Sequence, residues 1–319
     1  IENIKNDIKS AMLMSDKAET EVLQDEVLKT IKFLKRDKID GDKGLWSNHI
    51  INCSIECAPH IAALFTCMFS HGYTPYDFLI ATNISIPKDR KGDICNSENY
   101  RGIALASCFT KILDLIILER HSDIFQSSDM QFAFKKDSST TMCIYSFKET
   151  IRYYNNHNSN VYCCMVDASK AFDWLRFDKL FDILRKRKLP PYILNILIDM
   201  YTKQQLRTSW DGQNSKYFDI GNGVRQGGIL SPILFTLYMD ILLKRLENHG
   251  VGCYIGHHFY GALSYADDLA LISPSVSGLQ EMLDICEEFS KEYDVKFNPK
   301  KTVCICFPRD RRPIEFEVT

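Results

Sequence analysis

Two adjacent aspartates, Asp267 and Asp268, interrupt an otherwise apolar stretch and strongly constrain how this chain can fold. Short apolar runs flank them, at residues 262–265 and 269–272. Aspartate is unfavourable inside a strand and common in turns, so the stretch predicts a β-hairpin with two carboxylates at its tip. Neighbouring carboxylates repel each other, which favours a cation beside them, and Mg²⁺ binds such oxygens together with substrate phosphates. The alternative for this stretch alone is a solvated polar turn.

A third carboxylate follows a strand-like segment far upstream. Residues 161–166 form a continuous apolar run, which is typical of a strand buried on both faces, and the run ends on Asp167. If this strand lies beside the hairpin, Asp167 meets Asp267 and Asp268. Three carboxylates can hold two metal ions about 3.5–4 Å apart, the arrangement for phosphoryl or nucleotidyl transfer. One ion would activate a 3′-hydroxyl and the other would neutralise the triphosphate.

The composition is that of a folded globular protein of 319 residues, with 45% hydrophobic and 25% charged residues. A net charge of −2 argues against a surface coated in positive charge, so any nucleic-acid contact needs local basic patches. Residues 185–188 and 309–312 are candidates, and solvated surface is the alternative for both. No apolar run approaches the ~20 residues of a membrane span, so no membrane partner is expected.

The twelve cysteines are scattered, often within apolar stretches. This pattern predicts reduced core thiols in a protein of the nucleus or cytoplasm. Cys53, Cys57 and His60 resemble half of a metal clip, but no second half follows and core packing is the preferred interpretation. The chain begins with Ile and shows no signal-peptide pattern, which suggests a piece of a longer protein.

Hydrophobic periodicity predicts helices that alternate with short strands. The predicted helices are 19–35, 47–71, 107–124, 140–154, 177–187, 191–201, 232–248 and 277–293. The predicted strands are 78–87, 161–166, 206–210, 216–220, the hairpin within 262–272, and 302–307. Helices interleaved with mostly hairpin-linked strands predict an α+β fold.

Several motifs occur in a recognisable order. Val166-Asp-Ala-Ser-Lys-Ala-Phe-Asp173, Gly223-Val-Arg-Gln-Gly-Gly-Ile-Leu-Ser-Pro232 and Tyr265-Ala-Asp-Asp268 resemble successive palm motifs of reverse transcriptases. They are most similar to those of non-LTR (LINE-type) retrotransposons and the related group II intron enzymes. Further resemblances are to the fingers motifs, in Ile86-Pro-Lys88, Asn99-Tyr-Arg101 and Gln131-Phe-Ala-Phe134, and to the motif after the catalytic hairpin, in Asn298-Pro-Lys-Lys-Thr302.

This resemblance implies a right-hand polymerase fold with fingers and a palm, in which helices back an antiparallel palm sheet. Residues 1–75 would form an N-terminal helical extension of the fingers, 76–160 the fingers, and 161–308 the palm with its catalytic hairpin. Residues 309–319 would begin the connection toward a thumb that this chain lacks. The parent polyprotein is expected to supply that thumb and an endonuclease domain, and the piece alone should grip its template poorly.

The resemblance also implies a metal site. Asp167 and Asp267 would be the main ligands, Asp268 would support them, and the backbone carbonyl of Ala168 would be a further ligand. Phe172 would lie under the sugar of the incoming nucleotide, where its ring leaves no room for a 2′-hydroxyl. A role in the core is the alternative for Phe172.

Other residues are implied to hold the nucleotide. Lys88 and Arg101 would reach the triphosphate, as a point charge and as a bidentate fork, unless they lie in a solvated loop. Gln226 would contact the nucleotide, and Gly227 would let the backbone approach closely, unless the glycines only form a turn.

Two residues are expected close to the reacting groups. Lys301 would protonate the leaving pyrophosphate, with Lys300 as a rival. Tyr265 would pack under the primer end or, alternatively, in the core.

The implied function is an RNA-directed DNA polymerase that copies an RNA template from a DNA or RNA primer, using dNTPs and two Mg²⁺ or Mn²⁺ ions. One alternative is a retroelement-derived RNA-binding or scaffold protein without polymerase activity. Another is an RNA polymerase with the same palm, which Phe172 argues against. Gly102 and Ala133 depart from the residues commoner in the family, but neither belongs to the implied chemistry.

Overall fold

The computed structural model describes residues 1, 2, 4, 5, 8, 17–41, 44–168, 171–310 and 314–318. Its helices are α1 Lys17–Thr20, α2 Gln24–Ile31, α3 Ser47–Asn52, α4 Ser54–His71, α5 Tyr76–Leu79, α6 Cys108–Arg120, α7 Thr140–Asn156, α8 Ala171–Trp174, α9 Phe177–Lys186, α10 Pro191–Thr202, α11 Leu230–His249 and α12 Val276–Tyr293. Its strands are β1 Ile80–Pro87, β2 Tyr100–Leu105, β3 Val161–Asp167, β4 Gln205–Trp210, β5 Gln213–Asn214, β6 Phe218–Asp219, β7 Tyr254–Ile255, β8 His258–Phe259, β9 Ala262–Tyr265, β10 Asp268–Ser273 and β11 Val303–Phe307.

The chain forms two compact units, and each is made of two separate segments. The first unit comprises Ile1–Phe125 and Phe177–Ser231, and the second comprises Gln126–Arg176 and Pro232–Thr319. Helices α9 and α10 and strands β4 to β6 belong to the same unit as the N-terminal segment, and the sequence-based division into four consecutive ranges stays a prediction. Both units mix helices with largely antiparallel sheets, as the α+β prediction requires.

The first unit contains a sheet in the order β2-β1-β4-β5, with β6 also paired to β4. Strands β1 and β2 form an antiparallel hairpin, whereas β1 and β4 are parallel. Helices α4 and α6 supply much of the core, through fully buried side chains such as Phe65, Phe69, Ile112 and Leu113. The first unit thus has a well-packed core between its helices.

The second unit is built on an antiparallel sheet in the order β11-β3-β10-β9. Val161 and Cys163 of β3 belong to an apolar cluster on one face, against which Phe147 and Ile151 of α7 pack. Side chains alternate between faces along a strand, so Asp167 lies on this same face at the end of β3. Helix α12 also contacts β3 and β10. The continuous apolar run in β3 is explained by this cover of helices.

Several predicted elements differ from the structure. The predicted helix 47–71 is two helices, because the backbone of Cys53 leaves the helical region with φ −104° and ψ 27°. The predicted strand 78–87 begins only at Ile80, since residues 76–79 form a helical turn after Pro75. Strand β2 and the small β7–β8 hairpin were not predicted.

All twelve cysteines are free thiols, and five of them are buried. The prediction that the cysteines are core residues is wrong for Cys53, Cys67 and Cys95, which are exposed. Cys67 lies on the solvent side of α4 although its neighbours Met68 and Phe69 are buried, and Cys95 lies in an exposed loop beside the exposed Ile94. No helix within the described part of the chain combines the length and apolar composition that crossing a membrane requires.

A buried carboxyl lies in the core of the first unit. Asp114 on α6 is 4% exposed, and its Oδ2 lies 3.4 Å from the amide nitrogen of Leu230. Burial raises the pKa of Asp114 to about 7, while the Leu230 N–H and the Arg225 guanidinium oppose that shift. The same carboxyl has a pKa of about 3.9 in an unfolded chain.

The substitution Asp114→Asn should make stability less dependent on pH. Because the folded pKa lies above the unfolded one, protonation of Asp114 stabilises the fold fully below about pH 4, and this contribution is lost as the pH rises through about 7. Asn cannot ionise. We therefore expect the variant to gain on the order of 3 kcal/mol in free energy of unfolding, relative to wild type, between pH 5 and pH 8. Urea titrations measure this gain, with Asp284→Asn on exposed α12 surface as control. Parallel pH profiles for wild type and Asp114→Asn would contradict the assignment.

Candidate active site

The predicted hairpin of the second unit is present and brings two carboxylates into register. Strands β9 and β10 are joined by a two-residue turn, Ala266 and Asp267, with Ala266 at φ 59°. Asp268 is the first residue of β10 and pairs directly with Asp167 on the antiparallel strand β3. Directly opposed residues of an antiparallel pair project from the same face. Asp167 and Asp268 are therefore neighbours, with Asp267 adjacent in the turn.

Negative charge is concentrated at this hairpin. The pKa of Asp268 is raised by desolvation and further by the charges of Asp267 and Asp167, whereas Lys301 opposes the shift. A carboxyl that is partly desolvated beside like charges is stabilised by any cation that joins it. The local electrostatics therefore favour cation binding.

Lys301 is the cation that the structure places beside these carboxylates. Its Nζ lies 3.3 Å from both carboxylate oxygens of Asp167. The turn that carries Lys301 is built by Asn298, whose carbonyl accepts from the Lys301 N–H at 3.1 Å and whose side-chain oxygen accepts from the Lys300 N–H at 3.1 Å. The Asn298 N–H in turn donates to the Asp167 carbonyl at 2.8 Å.

Asn298 was missed as a site residue by the sequence reasoning. It joins the Lys301 turn to the strand that carries Asp167. The Asn-Pro pair is a turn signal and could have indicated this.

The oxygen donors fit a divalent cation only in combination with other ligands. Within the described residues, no three His, Cys, Asp or Glu side chains converge closely enough to form a metal site by themselves. Asp167, Asp267 and Asp268 are nevertheless hard oxygen donors, and Ala168 is held next to them by a bridge to Phe297. Mg²⁺ keeps several waters and is commonly bound by one or two carboxylates with substrate phosphates, so this donor set fits such an ion.

Two aromatic residues of the predicted site are held by neighbours in the second unit. Tyr265 pairs with Asp268 across the hairpin and packs against the apolar cluster beneath it. It lines a cavity of about 480 Å³ together with Asp167, Asp268 and Lys301. Phe172 on α8 stacks on Phe235, with ring centroids 4.6 Å apart and planes 23° apart. The contact with Phe235 restrains the ring of Phe172.

The first unit carries Lys88 and Arg101 on the β1–β2 hairpin. Arg101 is exposed and lies opposite Ile86 in the register. The Lys88 N–H donates to the Asn99 carbonyl at 2.6 Å, and its Nζ donates to the Glu98 carbonyl at 2.9 Å. Both cations therefore lie near the hairpin end.

Gln226 and Gly227 lie against the same hairpin. The carbonyl of Gln226 accepts a hydrogen bond from the Ala104 N–H at 2.6 Å. Gly227 has φ +120°, and a Cβ there would be 2.6 Å from the Ala104 carbonyl oxygen. Gly227 therefore permits a close backbone approach to strand β2, and its predicted approach to the nucleotide stays a prediction.

The basic stretches are largely engaged within the protein. Arg185 and Lys186 both pair with Asp182, at 2.9 and 2.8 Å, and they hold the pKa of Asp182 below its usual range. Arg187 donates to the Ile124 carbonyl at 3.0 Å. Arg309 donates to the Asn158 carbonyl at 3.0 Å. Arg311 and Arg312 of the second stretch lie outside the described residues.

The predicted site residues therefore form two groups, one in each unit. The second unit brings together the acidic hairpin and its surroundings, namely Asp167, Ala168, Asp267, Asp268, Tyr265 and Lys301, and it also holds Phe172. The first unit brings together Lys88, Arg101, Gln226 and Gly227.

The chain is similar to two insect retrotransposon proteins. It is 28% identical over 241 residues to a retrovirus-related Pol polyprotein from the type-1 retrotransposable element R2 of Nasonia vitripennis, covering 76% of this chain and 23% of that protein. It is 29% identical over 230 residues to the Pol polyprotein from the type-2 element R2DM of Drosophila melanogaster, covering 72% of this chain and 22% of that protein. The chain thus spans less than a quarter of the length of these two relatives.

A solved structure shares the fold. Apo telomerase from Candida tropicalis, truncated of its C-terminal domain, superposes with a TM-score of 0.54 at 15% identity, covering 84% of this chain and 58% of that one. The family model for reverse transcriptase (RNA-dependent DNA polymerase) matches residues 86–316, more than half of the chain. The order of motifs predicted this relationship. The chain belongs to the reverse transcriptase family, of the kind encoded by non-LTR retrotransposons.

Proposed function

We propose that this chain is the core of an RNA-directed DNA polymerase, which transfers a nucleotide from a dNTP to a primer 3′-hydroxyl on an RNA template. One observation carries the proposal above all. Asp167 and Asp268 face each other in register on neighbouring strands, with Asp267 in the adjoining turn, in a chain of the reverse transcriptase family. Nucleotidyl transfer requires carboxylates clustered in this way, whereas an RNA-binding scaffold does not require them.

The two units divide the polymerase architecture between them in this proposal. The β11-β3-β10-β9 sheet is the palm, because it carries the carboxylates. The sheet that contains the β1–β2 hairpin belongs to the fingers, because the hairpin carries Lys88 and Arg101.

The carboxylates and the Ala168 carbonyl would hold the divalent cations. When bound, Mg²⁺ or Mn²⁺ would lower the pKa of the 3′-hydroxyl and neutralise charge on the triphosphate. We propose that the site binds two such ions. Lys301, with its Nζ 3.3 Å from Asp167, keeps a proton beside the reacting groups and donates it to the leaving pyrophosphate. Lys300 is the less suitable donor, because the Asn298 turn directs Lys301 to the carboxylate.

The remaining residues select and hold the dNTP. Phe172, restrained by its stacking on Phe235, excludes a 2′-hydroxyl from the sugar position. Arg101 and Lys88 bind the triphosphate, since a guanidinium grips phosphate oxygens in a bidentate way and an ammonium acts as a point charge. Gln226 contacts the nucleotide, and Tyr265 supports the primer end.

Primer extension tests the proposed function. Wild-type chain with poly(rA)/oligo(dT), dTTP and Mg²⁺ or Mn²⁺ is expected to add dTMP, and EDTA or omission of poly(rA) should abolish the addition. We also propose that the chain is part of a longer polyprotein, because it spans less than a quarter of its two relatives. A longer segment of that polyprotein, assayed beside it, separates weak template binding from inactive chemistry. Tight binding of the template–primer without dTMP addition by either protein would contradict the proposal and favour an RNA-binding protein.

We also propose a reducing intracellular location, in the nucleus or the cytoplasm. Its support is that all twelve cysteines are free thiols, although several lie at the surface.

A further inference from the structure

A buried arginine stands directly before Gln226. Arg225 is only 7% exposed. Its Nε donates to the side-chain oxygen of Gln204 at 3.1 Å, both terminal nitrogens donate to the Phe78 carbonyl at 3.1 Å, and Nη2 also donates to the Leu79 carbonyl at 2.9 Å. The guanidinium therefore binds backbone at the point where α5 passes into β1.

The backbone that follows Arg225 is fixed at a second point. The Gln226 carbonyl and Gly227 both lie against Ala104 of β2, the strand that also carries Arg101. The Gly228 N–H closes the turn by donating to the Arg225 carbonyl at 3.1 Å. The loop at 225–228 is thus tied through a side chain to the end of α5, directly before β1, and through its main chain to β2.

We propose that Arg225 is a positioning residue for the incoming nucleotide, which holds Gln226 against the β1–β2 hairpin through its hydrogen bonds to Phe78 and Leu79. This inference rests on the proposed function, in which Gln226 contacts the dNTP. Arg225 itself touches no substrate. It acts by fixing the place of its neighbour relative to the strand that bears Arg101.

The chemistry of the guanidinium supports a role beyond filling space. Removing a charge from water is costly, and the hydrogen bonds described above for Arg225 go to carbonyl and amide oxygens rather than to a carboxylate. Desolvation lowers the pKa of Arg225, and the nearby Tyr201 and Asp114 oppose this. A planar fork can reach two successive carbonyls and a side-chain oxygen together, whereas a lysine ammonium cannot reproduce that arrangement.

The test compares Arg225→Lys with Arg207→Lys. Arg207 is a matched control because it also ties backbone in the first unit, with Nε 3.1 Å from the Thr82 hydroxyl oxygen and Nη2 3.2 Å from the Gly41 carbonyl oxygen. Single dTMP additions on poly(rA)/oligo(dT) are measured over a range of dTTP concentrations. We expect Arg225→Lys to raise the KM for dTTP roughly tenfold with kcat within about threefold of wild type, because the loss is one of positioning. Arg207→Lys should leave the KM unchanged.

A double mutant shows whether Arg225 acts through Gln226. Gln226→Ala should raise the KM by a similar factor, and adding Arg225→Lys to it should raise the KM little further, because both changes remove one interaction. If Arg225→Lys fails to fold, Gly227→Ala displaces the same loop and should reproduce the KM effect.

The outcomes separate this inference from the proposed function. Two results would contradict the inference while wild type still extends the primer. In the first, Arg225→Lys and Arg207→Lys change the KM equally; in the second, the effects of Arg225→Lys and Gln226→Ala on the KM add fully in the double mutant. Either result would show that Arg225 is structural, and the proposed function would stand. If neither wild type nor the longer segment of the polyprotein adds dTMP, the proposed function fails and the inference fails with it.

Discussion

Asp167→Asn and Asp267→Asn are each expected to reduce the rate of dTMP addition by at least about 10³-fold. The carboxylates concentrate negative charge at the β3–β10 register, and an amide cannot replace that charge as a ligand for a divalent cation. Loss of several kcal/mol of transition-state stabilisation corresponds to a rate change of this size. Asn has nearly the volume of Asp, so the sheet should be retained. Single-turnover extension at saturating dTTP measures the effect.

Asp284→Asn supplies the control for charge alone. Asp284 is exposed on α12 and accepts a hydrogen bond from Gln280, so its replacement removes one carboxylate from the same unit without touching the hairpin. Its rate should match wild type. Undiminished extension by Asp267→Asn, with or without excess Mn²⁺, would show that the site is wrongly assigned.

Phe172→Val is expected to relax the discrimination between deoxyribose and ribose. The ring is held by stacking on Phe235. In the proposed site, a smaller side chain at this position would leave space for a 2′-hydroxyl. We expect the ratio of kcat/KM for dTTP to that for UTP to fall about 100-fold, the range typical of a steric pocket, mainly through gained UTP incorporation. The two values are measured on one poly(rA)/oligo(dT) substrate.

Phe307→Val is the matched control for Phe172→Val. Phe307 is half-buried in the same unit and pairs with the ring of Phe147 at 5.8 Å, so its loss has a comparable packing cost. It should lower stability without changing the dTTP to UTP ratio. A Phe172→Val enzyme that incorporates UTP no better than wild type would remove the main argument against an RNA polymerase.

The acidic hairpin was predictable because local chemistry determines it. Paired aspartates disfavour strand interior and favour a turn, and the apolar runs beside Asp267 can be buried only as strands. Sequence spacing alone could not give the register between β3 and β10. Asp268 faces Asp167 because two strands that lie far apart in the chain pair in the folded sheet, and that pairing is a tertiary contact.

Other features depended on tertiary contacts that no local pattern shows. Strand β2 lacks clear alternation and exists because it pairs with β1 along its length. Arg225 resembles an ordinary loop cation in a glycine-rich segment, yet it is buried on the carbonyls of Phe78 and Leu79. The glycine-rich motif therefore does not reveal that the residue directly before Gln226 is a buried group bound to backbone carbonyls.

The ion pairs within the basic stretch at 185–188 could be predicted from the sequence. Asp182 precedes Arg185 and Lys186 by three and four residues on helix α9, a spacing at which side chains of opposite charge meet. Helical spacing alone thus indicates internal ion pairs for two of its cations.

The central claim is that the carboxylates perform chemistry and do not merely shape an RNA-binding surface. The most direct test measures, on one template–primer complex, the dissociation constant and the rate of a single dTMP addition for wild type and Asp267→Asn. We predict dissociation constants within about threefold of each other and rates that differ by about 10³-fold or more. Equal rates for wild type and Asp267→Asn would contradict the claim. So would a loss of template–primer binding by Asp267→Asn that accounts for its whole loss of rate.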